Sequence, residues 1–161
     1  MKGLGLAVLR IALAAVFIAH GANKLFGVFG GPGIGPGGLT NTAAFIASLG
    51  LNPAFPLAVL LGLTELVGGA LLVIGWFTRW VSLALVVSMG IAIWKVHLAS
   101  GFFLNWMGAP GVGQGIEYSV VLTGALLCLA CTGGGDFSID GRNEISSARR
   151  AAGRARLRGK V

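Results

Sequence analysis

His20 and Lys24 stand four residues apart in a long apolar run, and on a helix that spacing puts both side chains on one face. Three more ionisable side chains interrupt apolar sequence farther along: Glu65, His97 and Glu117, the last followed by Tyr118. Imidazoles exchange protons near neutral pH and ligate metals and haem iron. Carboxylates carry protons, and an ammonium holds negative charge beside them. A set of this kind supports proton exchange with a small redox molecule. It equally supports ion pairs that weld helices together, because buried charges demand partners whatever else they do.

The elements that must position these residues follow from composition. Of 161 residues, 55% are hydrophobic and 11% charged, whereas soluble domains carry about 25% charged residues. Residues 1–132 hold only Lys2, Arg10, Lys24, Arg79 and Lys95 against Glu65 and Glu117, and the remaining residues hold seven basic and three acidic side chains. So few charges cannot cover a water-exposed surface. A soluble globular protein, a disordered chain and a disulfide-rich secreted domain are excluded, the last because Cys128 and Cys131 are the only cysteines. The composition is that of an integral membrane protein.

A hydrocarbon core about 30 Å thick needs about 20 helical residues. Four stretches meet or approach that length: 4–27, 56–77, 80–100 and 115–132. The first is too long for the apolar region of a signal peptide and lacks a small-residue cleavage site, so it reads as a retained span. The fold class expected is all-α, a four-helix transmembrane bundle. A Gly/Pro-rich extracytoplasmic loop joins the first two spans, with a short surface helix over 42–49 capped by Thr40 or Asn41. The Thr78-Arg79 turn makes spans two and three an antiparallel hairpin, and the aromatics of 101–114 suit the headgroup region. Residues 1–141 form the membrane domain, and 142–161 a basic, disordered cytoplasmic tail. The two long connections hold no Lys or Arg, while Lys2, Arg79 and the tail share the other side. By the positive-inside rule the N and C termini are cytoplasmic, in the inner (plasma) membrane. The six basic residues from Arg149 to Lys160 read as a solvated tail or a contact to anionic lipid. No aromatic interleaves with them, so nucleic acid is not a partner.

This topology brings His20, Lys24, Glu65, His97 and Glu117 to one depth near the outer face. Gly62 and Gly69 share a face with Glu65, which should therefore point into the bundle. His97 shares a face with Gly90, Ile93, Trp94 and Gly101, read as a second packing face. Lys24 paired with Glu65 or Glu117 is the structural reading; a substrate or cofactor site is the functional one. Two histidines from different helices near one face could hold haem, but a lone pair of histidines is more commonly a core or interface feature, and no ligand spacing supports a metal site. Cys128 and Cys131 form a C-x-x-C, read as two buried small side chains. Gly30–Gly33 lacks the Gly-Lys-Ser/Thr of a phosphate loop.

Several ordered pieces carry a family resemblance. They include His20-Gly21-x-x-Lys24-Leu-Phe-Gly27, Glu65-x-x-Gly68-Gly69, Leu72-x-x-Gly75-x-x-Thr78-Arg79, His97-x-x-x-Gly101-Phe-Phe103, Gly115-x-Glu117-Tyr118 and Phe137-Ser-Ile-Asp140. Over 4–141 the chain resembles the DoxX family of small membrane proteins. The resemblance implies an oxidoreductase subunit acting on or with quinone in an oxidative-stress or respiratory complex. It carries a polar set over to His20, Lys24, Glu65, Arg79, His97, Glu117 and Tyr118. On that reading His20, His97 and Tyr118 contact the cofactor, and His20 or His97 bonds a quinone oxygen. Glu65 and Glu117 then pass protons to the outer face, and Lys24 balances their charge. An open, partly apolar pocket reached from lipid is expected at that depth. The alternative is a non-enzymatic accessory or scaffold subunit with a structural polar layer. Besides the bilayer and a quinone or other small hydrophobic molecule, partners are other subunits of a complex or a second copy.

Overall fold

The computed structural model describes residues 2–30 and 37–147, so most of the Gly/Pro run and the basic stretch Arg149–Lys160 lie outside the described residues. Every regular element described is helical. Helix α1 covers Lys2–Phe26, α2 Leu39–Ser48, α3 Ala54–Ile74, α4 Thr78–Ala92 and α5 Glu117–Thr132. A π turn, Ile93–His97, and a short 3-10 turn, Leu98–Ser100, extend α4.

Among the described residues, three helices are long and apolar enough to cross a membrane: Gly3–Phe26, Ala54–Ile74 and Thr78–Ser100. The fourth expected span, α5, has 16 residues and so reaches about 24 Å at 1.5 Å per residue. It begins at Glu117 because the amides of Gly115, Ile116 and Glu117 bond to carbonyls of Phe103, Gly101 and Phe102. Leu122, Leu126 and Leu129 bury its inner stripe against Leu13, Ala14 and Phe17 of α1, Leu72 of α3, and Val81 and Leu85 of α4. Large apolar side chains on the outer faces, such as Leu60, Val87, Ile91 and Val121, are exposed. That is the pattern of a bundle whose solvent is lipid.

Helices α1 and α3 approach to backbone contact. A Cβ on Gly21 would sit 2.8 Å from Leu66 Cα and 2.9 Å from the Gly62 carbonyl oxygen, and one on Gly69 would sit 2.9 Å from Ile18 N. Small residues permit this approach, and close packing is what holds helices together where lipid removes the hydrophobic drive. The short helix α2 begins at Leu39, before its expected start. Gly38 N donates to Asn23 O at 2.8 Å, pinning the start of α2 to the end of α1. Neither Thr40 nor Asn41 caps it. Asn41 Nδ2 donates to Gly37 O, and Thr42 Oγ1 donates to Lys24 O at 2.9 Å.

At the other end of the bundle, three charged side chains satisfy helix termini from a distance. Arg10 is 1% exposed. Its guanidinium donates to Leu72 O at 2.8 Å, to Val73 O at 3.1 Å and to Phe137 O at 2.7 Å. Leu72 and Val73 belong to the last turn of α3, whose carbonyls have no intrahelical partner and form the negative end of its dipole. Asp140 does the converse for α4: Phe77 N and Thr78 N donate to its two oxygens at 3.0 and 2.8 Å. Arg79 Nη1 donates to Ala130 O and Cys131 O at the end of α5. Gly75, at φ 68°, turns α3 into α4 here, and Arg10 and Ser138 leave no room for a Cβ on it. Residues 139–147 are helical, so the helix continues past the domain boundary expected at 141.

Candidate functional site

The end of α1 is fixed before its charges are. Asn23 is buried; its side chain donates to Val28 O at 2.9 Å, and its carbonyl accepts from Gly27 N and Gly38 N. The next residue, Lys24, is thereby held in the last turn, where a cation suits the helix dipole. Its Nζ lies 2.5 Å from Glu65 Oε2. The two side chains are 24% and 8% exposed. Glu65 faces α1 as the Gly62 and Gly69 spacing implied, because those glycines bring its helix against Leu25 and Ile18.

One turn below Lys24 lies His20, within electrostatic reach of both Lys24 and His97. His20 is exposed on the surface of the span and takes part in no hydrogen bond among the described residues. His97 is half-buried in the π turn, and its Nδ1 lies 2.9 Å from Gln114 O. The π turn, with its wider i→i+5 bonding, breaks the helical period. The expected packing face of Gly90, Trp94 and Gly101 is therefore not one. A Cβ on either glycine would meet nothing within 4 Å, and Trp94 is exposed with Lys95 Nζ 4.2 Å from its ring centre.

The structure thus draws together His20, Lys24, Glu65 and His97. Glu117 is engaged elsewhere: its Oε2 accepts from Leu104 N at 3.2 Å and helps fix the loop of residues 101–116. Asn105 and Gln114 complete that network, with Asn105 N donating to Gln114 Oε1 and Asn105 Nδ2 to Ala109 O and Val112 O. The polar groups bond inward, while Phe103, Trp106 and Met107 point outward and are exposed. Tyr118 is exposed on α5, and no hydrogen bond among the described residues joins it to the four.

One further expectation is corrected. Cys128 and Cys131 are exposed, not buried. The buried stripe of α5 runs through Ser119, Leu122, Leu126 and Leu129, and both cysteines fall off it. An open cleft of about 370 Å³ lies between α3 and α4 and is lined by Leu63, Thr64, Val67, Gly68, Leu71, Val81 and Ala84. None of the four polar residues lines it. Among the described residues no three His, Cys, Asp or Glu side chains converge as a metal site would require. What the cluster offers instead is an exposed imidazole, a half-buried imidazole and an ammonium at one edge of the bundle, with a carboxylate behind them.

The DoxX family model matches residues 5–98, which include His20, Lys24, Glu65 and His97 and stop short of Glu117 and Tyr118. No curated protein and no solved structure matches the chain.

Proposed function

Because the chain belongs to the DoxX family of membrane proteins, we propose that it acts on or with a quinone at the edge of its bundle, as a subunit of a membrane redox complex. The observation that carries this reading is His20. A helix-welding polar residue is buried and bonded; His20 is exposed on an apolar span, makes no hydrogen bond among the described residues, and lies within electrostatic reach of Lys24 and His97. Such an imidazole suits a polar ring arriving through the lipid, in keeping with a site that adds a few polar groups to an apolar surround. His20 hydrogen-bonds one ring oxygen. Lys24, anchored by Glu65, keeps two further N–H donors for a second contact. Glu65 supplies the charge that holds Lys24 in place, and it stands behind the site as a proton carrier. With the termini in the cytoplasm, as the basic residues imply, the cluster lies toward the outer face of the plasma membrane.

Titration of a short-chain ubiquinone or menaquinone into purified protein tests this directly. Saturable binding that weakens in both His20→Ala and His97→Ala supports it, and no binding to the wild-type protein contradicts it.

A specific observation favours the accessory reading too. The cleft on α3 and α4 is lined by Thr64, Gly68 and Ala84, small residues that let a further membrane helix approach closely. On that reading the Lys24–Glu65 pair is structural. The same titration separates the two readings.

A further inference from the structure

We infer that the site prefers the reduced, hydroxyl-bearing form of its ligand, and that His97 Nε2 is the atom that selects it; this rests on the quinone reading above. The argument starts from the bond His97 already makes. Its Nδ1 lies 2.9 Å from the carbonyl oxygen of Gln114, and a carbonyl oxygen only accepts. In the neutral imidazole the single proton therefore sits on Nδ1, and Nε2 is left as a bare acceptor. The partner that sets this tautomer is held firmly. Gly115 N and Ile116 N, just after Gln114, donate to Phe103 O and Gly101 O at 3.2 and 3.1 Å. The Gln114 side chain accepts from Asn105 N at 2.9 Å. The carbonyl cannot swing away without breaking the loop network.

Nε2 makes no hydrogen bond among the described residues, and the ring is half-buried, not sealed. Of the charged and titratable groups, His20 from α1 lies within electrostatic reach of it, and Lys95 belongs to its own turn. Lys24 is bonded to Glu65, and Lys95 lies over Trp94.

A quinone presents two carbonyl oxygens, both acceptors. Against a bare Nε2 each would leave two lone pairs facing one another with no proton between them. A hydroquinone presents O–H donors, and one O–H···Nε2 bond satisfies both partners. Leaving a polar group unpaired in a partly desolvated site weakens binding by about tenfold or more. The preference belongs to the side chain and its fixed tautomer, not to the site's overall affinity.

The test has two arms on the full chain in lipid nanodiscs. Nitrogen NMR of histidine-labelled protein, with His20→Gln used to assign the signals, reads which ring nitrogen of His97 carries the proton. Equilibrium binding of menadiol under argon, and of menadione, reads the preference. The expected result is an Nδ1-protonated His97 and menadiol bound about tenfold tighter or more. In His97→Gln, whose rotatable amide offers either a donor or an acceptor, the two affinities should come within about threefold of one another. Equal affinities in the wild-type protein, tighter menadione, or a proton on Nε2 overturns this inference and leaves the quinone reading standing. Binding of neither compound overturns both.

Discussion

The Lys24–Glu65 pair makes an asymmetric prediction. Lys24→Met strands a carboxylate whose side chain is 8% exposed, while Glu65→Gln strands an ammonium that is 24% exposed and sits in the last turn of α1. A lone buried charge costs about 3–5 kcal/mol when its partner is removed. Glu65 is close to that limit, its side chain 8% exposed in the α1–α3 contact, so Lys24→Met should lose about 3 kcal/mol or more. Lys24 has an escape. Its stem lies on apolar surface and its head can swing to the interface, and the introduced glutamine amide still accepts a hydrogen bond, so Glu65→Gln should lose only about 1–2 kcal/mol. The double variant Lys24→Met/Glu65→Leu removes both charges and should return to within about 1 kcal/mol of the wild type. Reversible unfolding by titrating a denaturing detergent into mild-detergent micelles, followed by circular dichroism, measures all four proteins. Equal losses in the two single variants, or a double variant as unstable as their sum, would refute the reasoning.

The opposite end of the bundle gives further predictions. Arg10→Met removes three charge-assisted bonds and orphans carbonyls at the end of α3, at about 2–4 kcal/mol in the same unfolding assay. Asp140→Ala uncaps α4 and should cost about 1–2 kcal/mol, with faster hydrogen exchange at the Phe77 and Thr78 amides as its local signature. Cys128→Ser, at an exposed position, should change stability by less than about 0.5 kcal/mol, and Cys128 and Cys131 should both label in detergent without unfolding. In intact cells an impermeant thiol reagent should label Met107→Cys on the exposed loop and spare Gly153→Cys in the basic tail, both in a Cys128→Ser/Cys131→Ser background; the reverse pattern inverts the orientation.

Much of the architecture was legible in the sequence because membrane spans are set by length and apolar content alone. The direction of Glu65 was legible too, since Gly62 and Gly69 could serve only a close helix contact on its own face. The helix caps at the far end were not. Arg10, Arg79 and Asp140 act on helix termini more than fifty residues away in the chain, and no local period or cap motif records such a contact. His97 was placed on the wrong face, because one π turn shifts everything beyond Ile93 relative to Gly90. Glu117 was grouped with the polar layer by depth, yet the amide of Leu104 claims its carboxylate. The cysteines were misread because apolar surroundings suggest burial, whereas in a bundle solvated by lipid an apolar helix shows as much of its surface outward as inward.

The central claim is that a quinone head meets this protein at the His20–Lys24–His97 edge. Photoaffinity labelling with an azidoquinone in native membranes, followed by peptide mapping, tests it most directly. The account predicts competable adducts within residues 17–26 of α1 and 91–101 of the α4 extension, reduced in His20→Ala. Adducts confined to the α3–α4 cleft between Leu63 and Ala84, or none that excess unlabelled quinone removes, would contradict it.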